Sequence, residues 1–321
     1  MAKDVKELSV TFERVFSEIK KVIVGQDEML KKLMVGLLSN GHMLLEGFPG
    51  LAKTMAINTF AQTLSAQFKR IQFTPDLLPA DVIGTQIYNP QEASFSIKKG
   101  PVFTNILLAD EINRAPAKVQ SALLEAMAEK QVTIAGETHI LSDPFMVLAT
   151  QNPIEQEGTY PLPEAQVDRF LMKINISYPN KVEERQILDR MGRIQINTRV
   201  EQVLTLDDIT EARNMVDDIY ISDELKDYIV DIVFSTRRGT ELKEIENLIE
   251  VGASPRATIA LTLCSKAYAL LEGRDHVRSN DIKKIVFDVL RHRISVSYEA
   301  EAEGQTSENI IQKILDTLPT P

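Results

Sequence analysis

A lysine and a threonine stand side by side at the end of a glycine-containing loop, and these residue types at this spacing are typical of phosphate binding. The loop runs Gly47-Phe48-Pro49-Gly50-Leu51-Ala52-Lys53-Thr54. An apolar run precedes it and a helical pattern follows, which places it between a strand and a helix. There the backbone N–H groups of the loop and of the helix N-terminus point at one spot and can hold phosphate oxygens. We therefore expect the Lys53 ammonium to reach terminal phosphates and the Thr54 hydroxyl to reach Mg2+.

Support for this loop must come from further along the chain, because Ala52 stands where the pattern G-x-x-x-x-G-K-[ST] has its last glycine. Asp110 and Glu111 follow the apolar run Asn105-Ile106-Leu107-Leu108-Ala109. Such a run is expected of a parallel strand covered on both faces, and open α/β sheets bind ligands at the carboxyl ends of their strands. We predict that Asp110 holds Mg2+ and that Glu111 polarises an attacking water. The alternative is an acidic junction that favours the next helix N-terminus.

Two further positions have both a structural and a functional interpretation. Asn152 follows the apolar strand at 145–150 and precedes Pro153, which is typical of a turn. In a parallel sheet it would instead lie beside Asp110, where its amide could orient a water or a γ-phosphate. Val24 and Gly25 end a short apolar stretch that either connects two helices or forms a backbone platform for a nucleotide base. The nearby phosphate loop favours the platform.

Arg169 follows Asp168 just before the last apolar strand. In the structural interpretation, Asp168 forms a surface salt bridge with a neighbouring base, which contributes little free energy. In the functional interpretation, Arg169 supplies a charge to a phosphate in an adjacent subunit, because Lys53 already serves the phosphates within its own subunit. Both interpretations remain open at this point.

Arg256 lies in the first turn of a predicted helix, with Ser254 as N-cap and Pro255 as first helical residue. A cation there opposes the helix dipole by about 0.3–1 kcal/mol. This unfavourable placement suggests an anionic partner, and the alternative is a surface arginine that bends into water.

The elements that must position these residues form two blocks. Residues 1–180 alternate apolar strands with helical patterns, and residues 181–321 have an all-helical period. Two segments interrupt the first block: a stretch at about 74–103, rich in proline and glycine, with a short hairpin near 87–97, and a second predicted hairpin at 132–141. We therefore predict an α/β domain followed by a helical domain.

Composition narrows the class of protein. The 321 residues are 44% hydrophobic and 26% charged, and the net charge is -10; this acidic balance disfavours a nucleic-acid partner. Cys264 is the single cysteine, so no intrachain disulfide is possible. The N-terminal pattern is amphipathic rather than that of a signal peptide, and no apolar run approaches the ~20 residues of a membrane span. We expect a cytoplasmic protein without a membrane span.

The motifs occur in the order used by AAA+ ATPases, and several closely resemble those of the MoxR family, in which alanine is usual before Lys-Thr. The segments that carry the resemblance are Leu44-Leu45-Glu46 with the phosphate loop, Asp110-Glu111-Ile112-Asn113-Arg114-Ala115, Ala149-Thr150-Gln151-Asn152-Pro153 and Gly252-Ala253-Ser254-Pro255-Arg256-Ala257.

This resemblance implies an AAA+ P-loop core with a five-stranded parallel sheet, a helical lid, ATP bound between them and a homo-oligomeric ring, commonly a hexamer. It implies that 74–103 corresponds to the insert that the family carries in the element it calls helix 2. It also implies that 132–141 is the hairpin that precedes the sensor 1 strand. By position Asn152 resembles sensor 1, Arg169 the arginine finger and Arg256 sensor 2.

The function that the resemblance implies is Mg2+-dependent ATP hydrolysis that drives chaperone-like remodelling, maturation or activation of a client protein or complex. Partners that carry a von Willebrand A domain are also implied. The alternatives are a chelatase-type or nucleic-acid motor subunit of the same AAA+ branch, and a nucleotide-gated scaffold that scarcely turns over.

Overall fold

The computed structural model describes residues 4–152, 158–194, 198–237, 239 and 243–321. Pro153, part of the predicted turn after Asn152, lies outside the described residues. The helices are α1 Val5–Lys20, α2 Asp27–Leu38, α3 Lys53–Thr63, α4 Pro79–Ile83, α5 Ala117–Glu129, α6 Glu164–Val167, α7 Lys181–Met191, α8 Leu206–Asp218, α9 Asp223–Phe234, α10 Lys243–Glu246, α11 Pro255–Leu271, α12 Ser279–Leu290, α13 Tyr298–Ala302 and α14 Ser307–Thr317, with a 3-10 turn at Ile112–Arg114.

The strands fall into one large sheet and three small pairs within the described ranges. They are β1 Met43–Gly47, β2 Phe68–Gln72, β3 Gly84–Asn89, β4 Ser94–Lys99, β5 Ile106–Asp110, β6 Gln131–Ile134, β7 Glu137–Ile140, β8 Met146–Gln151, β9 Met172–Ile176, β10 Ile249–Val251 and β11 Ser295–Val296.

The large sheet confirms the predicted five-stranded parallel core. Its strand order is β2-β5-β8-β1-β9, and every neighbouring pair is parallel. The central strands β5, β8 and β1 are almost wholly buried, as expected of strands covered on both faces. The carboxyl ends of all five strands therefore meet at one edge of the sheet.

Two hydrophobic clusters cover the two faces of the sheet, because side chains alternate along each strand. Ile106 and Leu108 join the larger cluster, and Leu107 and Ala109 join the smaller one. The larger cluster is continuous from α1 and α2 into the lid helices α8, α9, α11, α12 and α14. The lid is thus packed onto the core, and a boundary at residue 180 stays a prediction.

Both predicted hairpins are confirmed. Strands β3 and β4 pair antiparallel after the short helix α4, and β6 pairs with β7. The second hairpin turns at Ala135 and Gly136, which both have positive φ, the conformation of a two-residue type I′ turn. The side chain of His139 on β7 is 22% exposed and lies edge-on to the Phe103 ring.

The C-terminal region is helical, as predicted, with one addition. Strands β10 and β11 form a short antiparallel pair, where two extended segments satisfy each other's backbone groups beside the buried Ile249. Cys264 on α11 is buried, and burial raises the pKa of its thiol to about 12. Among the described helices, none has both the length and the apolar character that crossing a bilayer would need.

Candidate active site

The carboxyl edge of the sheet carries a cavity of about 480 Å³ that brings most of the predicted site residues together. It lies where β1, β5 and β8 end and where α3 begins. Its lining residues are Gly47, Pro49, Gly50, Leu51, Ala52, Lys53, Thr54, Met55, Arg70, Gln72, Asp110, Glu111, Thr150 and Asn152. The phosphate loop, both acids and Asn152 therefore meet although they are far apart in the chain.

The phosphate loop has the backbone that an anion site needs. Gly50 and Ala52 have φ values of 84° and 54°, and α3 begins directly after Ala52. Positive φ at these positions turns the chain so that helix N–H groups face the cavity. Ala52 occupies the left-handed region in which glycine carries no steric cost. Phe48 does not line the cavity; its ring stacks on Tyr178, with ring centres 4.9 Å apart.

Lys53 and Thr54 open α3 and face the cavity. The Lys53 ammonium donates a hydrogen bond to the carbonyl of Gly47 at 2.7 Å, which holds it against the loop. Burial lowers the pKa of Lys53, while the nearby Asp110 and Glu111 carboxylates raise it. A partly desolvated cation that faces a concave set of N–H groups is suited to a polyanion.

Asp110 ends β5 with both carboxylate oxygens engaged. Oδ1 accepts a hydrogen bond from Thr150 Oγ1 at 2.6 Å. Oδ2 accepts from Arg70 Nε at 3.0 Å and from Arg70 Nη2 at 2.7 Å. Thr150 on β8 and Arg70 on β2 thus fix this carboxylate from the two strands that flank β5.

Glu111 follows in the left-handed region, with a φ of 56°. Its N–H donates to Thr150 Oγ1 at 2.8 Å, so one hydroxyl braces both acids. The Glu111 Oε2 atom accepts from Gln72 Nε2 at 2.8 Å and lies 3.0 Å from Nε of Arg114. Strained backbone of this kind clusters at functional sites, where surrounding contacts over-determine it.

The sequence prediction missed Arg70, Gln72 and Thr150. A signal for the first two was present, because they alternate with Ile71 and Phe73 along a predicted strand and so share the face opposite to that apolar pair. What they meet on that face depends on the neighbouring strand, and no local pattern shows it.

Val24 and Gly25 lie beside the loop but do not line this cavity. Val24 is buried, and Gly25 has a φ of 69°. A side chain at Gly25 would be strained by this φ, and its Cβ would come 2.8 Å from Oε1 of Glu183 on α7, whose carboxylate would have to move. The next residue, Gln26, donates a hydrogen bond from Nε2 to the carbonyl of Leu51 at 2.8 Å. This segment is therefore tied directly to the phosphate loop.

Arg169 and Arg256 lie at the other end of the sheet. They line a second cavity of about 390 Å³ together with His42, Lys130 and Arg293. His42 precedes β1, Arg169 precedes β9, and these strands pair in parallel from Met43 and Met172 onward. Five residues of strand span roughly 15 Å, so this cavity is separated from the phosphate loop of the same chain.

Asp168 organises this second cavity. Its carboxylate pairs with the buried Arg293 at 2.8 Å and lies 3.7 Å from Nη1 of Arg256. Ser254, the N-cap of α11, also donates to it at 3.0 Å. The salt bridge of the structural interpretation is thus present, with a buried arginine as partner, and the Arg169 guanidinium donates to the carbonyl of Leu124 at 3.0 Å. Arg256 is exposed on one side and faces Asp168 on the other.

The donor set of the first cavity fits Mg2+ better than a transition metal. Thr54 and Asp110 offer a hydroxyl and a carboxylate, the oxygen ligands that Mg2+ prefers when substrate phosphates and waters complete its shell. Among residues that the structure describes, no cluster of three His, Cys, Asp or Glu side chains could hold a metal by itself. A metal ion here would need waters or phosphate oxygens to complete its coordination shell.

Two family models match this chain. The first, described as "ATPase family associated with various cellular activities (AAA)", matches residues 42–172, and an AAA lid domain matches residues 242–314. Chaperone MoxR1 of Mycobacterium tuberculosis is 48% identical over 313 residues, 97% of this chain and 82% of that protein. The uncharacterized protein YeaC of Bacillus subtilis is 43% identical over 316 residues, 98% of this chain and 97% of that protein.

A crystal structure of a candidate ATPase from Cytophaga hutchinsonii superposes with a TM-score of 0.93 at 50% identity and covers 98% of this chain and 96% of that one. A weaker match is the magnesium-chelatase subunit ChlI homolog of Methanocaldococcus jannaschii, 24% identical over 326 residues, 85% of this chain and 84% of that protein. The fold is thus shared with the Cytophaga hutchinsonii protein.

Proposed function

This chain belongs to the MoxR family of AAA+ ATPases, and from that premise we propose that it couples Mg2+-dependent ATP hydrolysis to the remodelling of a client protein or complex. The observation that carries the proposal is the convergence of Lys53, Thr54, Asp110, Glu111 and Asn152 on one cavity. These side chains supply charge neutralisation, metal ligands, a base and a polar orienting group.

The chain's own groups divide the work of hydrolysis. Loop N–H groups and the Lys53 ammonium neutralise the β and γ phosphates, leaving the backbone carbonyl of Gly47 for the phosphate oxygens. Glu111 accepts a hydrogen bond from the attacking water, and the Asn152 amide orients that water or the γ-phosphate. Positioning and charge stabilisation provide nearly all of the catalysis in such reactions. Mg2+, held by Thr54 directly and by Asp110 through water, would neutralise charge on the phosphates.

Val24 and Gly25 form a backbone platform for the base in this proposal. The hydrogen bond from Gln26 to Leu51 supports it, because it places the segment against the phosphate loop. Phe48 contributes through its stack on Tyr178, which stiffens the first part of the loop.

We further propose a homo-oligomeric ring, a hexamer by family resemblance, in which the second cavity meets the ATP of the neighbouring subunit. Arg169 would act there as arginine finger and Arg256 as sensor 2. Their distance from the phosphate loop of their own chain supports a role in trans for both. Lys130 and Arg293 line the same cavity and add to its positive charge.

The hairpins β3–β4 and β6–β7 are proposed to contact the client. Neither hairpin lines the nucleotide cavity, and exposed apolar side chains stand on both, including Phe95 at 66% and Ile140 at 81% exposure. Exposed loops on a rigid scaffold commonly carry binding function. A partner with a von Willebrand A domain, which rests on family resemblance, completes the proposal together with a cytoplasmic location, which rests on the sequence pattern.

Other functions remain as alternatives to be tested. A chelatase-type motor is favoured only by the weaker match to a magnesium-chelatase subunit. A nucleic-acid motor is disfavoured by the net charge of -10. A scaffold that binds ATP with scarcely any turnover is separated from an ATPase by a phosphate-release assay.

The decisive experiment compares Lys53→Ala with Glu111→Gln. We expect Lys53→Ala to lose nucleotide binding, because the ammonium group that neutralises the phosphates is removed. Glu111→Gln should bind ATP normally while phosphate release falls by about 10²–10⁴-fold, the usual contribution of a positioned base. Binding is measured with a fluorescent ATP analogue and turnover by phosphate release. Equal loss of ATP affinity in both variants would show that the two roles are assigned wrongly.

A further inference from the structure

Arg70 is a cation inside the phosphate cavity that the proposed chemistry leaves unused. It stands on the edge strand β2, and its guanidinium lines the cavity together with Lys53 and Thr54. Both donor contacts to Asp110 end on a single oxygen, Oδ2, while the other oxygen accepts from Thr150. Arg70 therefore binds the Asp110 oxygen that the Thr150 hydroxyl does not contact.

A metal ion and Arg70 cannot both use that oxygen fully. A carboxylate oxygen has about two lone-pair sites, and Oδ2 already accepts hydrogen bonds from two nitrogens of Arg70. Mg2+, or a water bound to it, needs one of the same sites. Two cations held at one oxygen would also repel each other. Mg2+ and the Arg70 guanidinium are thus alternative partners of Asp110.

The Arg70 side chain is free to exchange. It is 46% exposed, it lies on the edge of the sheet, and its Nη2 also donates to Gln72 Oε1 at 2.8 Å. A guanidinium released into this cavity meets the position of the phosphates, whose oxygens it can pair with in bidentate fashion.

We propose that Arg70 is an exchangeable counter-ion of Asp110, which holds the carboxylate until Mg2+ replaces it and then pairs with a phosphate oxygen of the nucleotide. The second half rests on the proposed function, because it requires a nucleotide with its metal; the competition at Asp110 does not. The consequence is that metal alone binds weakly and enters together with ATP.

The first test measures binding of Mn2+ alone, by electron paramagnetic resonance, to the full chain. Arg70→Ala should bind Mn2+ about tenfold more tightly than the wild type, since a charge-assisted contact to Asp110 is removed and partial exposure limits its strength. Adding Asp110→Asn should abolish the gain. Lys69→Ala is the matched control, because Lys69 is the exposed neighbour on β2 and does not line the cavity; its affinity should stay within about twofold of the wild type.

The second test measures the dissociation constant of a fluorescent ATP analogue in EDTA and in Mg2+. Because linkage is reciprocal, tighter binding of the metal alone weakens its coupling to ATP, so the ratio of the constant in EDTA to the constant in saturating Mg2+ should fall about tenfold in Arg70→Ala. Arg70→Lys keeps the charge without the planar fork and should lie between the wild type and Arg70→Ala, which preserves the test if the alanine variant does not fold.

An unchanged Mn2+ affinity and an unchanged ratio in a folded Arg70→Ala variant would mean that the contact only joins two strands, and the proposal would fall. A wild type that binds no ATP would overturn the proposed function instead. In that event a tighter Mn2+ affinity of Arg70→Ala would still support exchange at Asp110.

Discussion

Ala52 and Glu111 are both in the left-handed backbone region, with φ values of 54° and 56°. For residues other than glycine this conformation costs about 1–2 kcal/mol. Ala52 directly precedes α3 and Glu111 directly follows β5, and both line the cavity, so the strain is localised at the site. At Glu111, Thr150 on β8 holds the backbone N–H, and Gln72 on β2 holds the side chain.

Ala52→Gly tests whether the backbone at this position is strained and whether the strain affects ATP binding. Glycine would remove the steric cost, but it would add about 0.4–1 kcal/mol of conformational entropy to the unfolded chain. We expect the free energy of unfolding to rise by no more than ~1 kcal/mol and ATP affinity to be preserved, because the loop N–H groups keep their directions.

The control is Ala56→Gly, one turn further along α3, where the backbone is helical and the methyl group is buried. There the same substitution should lower the free energy of unfolding by about 1 kcal/mol or more. Urea unfolding followed by circular dichroism measures both variants. A clear destabilisation by Ala52→Gly, or a loss of ATP binding, would contradict the explanation.

At the scale of elements, the insert hairpins are separate from the chemistry that the sheet edge assembles. The β3–β4 hairpin stands beyond α4 and presents Tyr88 and Phe95 as a ring pair, with centres 5.0 Å apart. The buried aromatic Phe73, which directly follows β2, belongs instead to the core. Exposed and buried aromatic residues on neighbouring segments therefore have different expected roles.

Replacing Phe95 and Ile140 together by serine should leave basal ATP turnover within about twofold of the wild type, as for surface positions away from special features. The matched Phe73→Ser substitution should destabilise the fold by roughly 3–5 kcal/mol, because it leaves a cavity in the core. Phosphate release and thermal unfolding measure the two effects. If hydrolysis by the double variant collapses while the fold and the oligomer survive, the hairpins belong to the nucleotide site.

At the scale of the whole molecule, the two ends of the sheet carry complementary chemistry. The carboxyl end has the phosphate loop and the acids, and the amino end has Arg169, Arg256 and Lys130 around Asp168. A chain with these sites at opposite ends can place the basic cavity of one copy against the phosphate cavity of the next. Such a head-to-tail contact closes into a ring if the rotation allows it.

Mixing Arg169→Ala with Lys53→Ala tests that arrangement. Arg169→Ala should keep ATP binding and lose about 10³-fold or more in turnover, the effect of an arginine supplied in trans. Lys53→Ala has an intact Arg169 without a usable pocket. Mixed rings should regain part of the activity, because some interfaces then join an intact Lys53 on one subunit to an intact Arg169 on the next.

Native mass spectrometry shows whether mixed rings form, and phosphate release shows whether they work. Mixed rings with no more activity than the separate variants would mean that Arg169 does not act across the interface. The measurement is independent of the number of subunits, since any closed ring places one pocket beside one arginine.

That the phosphate loop, the two acids and Asn152 lie at strand ends and meet at one cavity could be predicted because their signals are local, while their roles stay predictions. A loop composition, an apolar run and the polar residues that end it lie within a few consecutive positions. The contacts of Arg70 and Gln72 with Asp110 and Glu111 were decided only by the tertiary structure, since they depend on β2 lying next to β5. The pairing of Asp168 with Arg293 and Arg256 likewise required the lid to pack at the amino end of the sheet. Periodicity along a chain determines which face of an element is buried, whereas strand order and domain packing determine which distant charges meet.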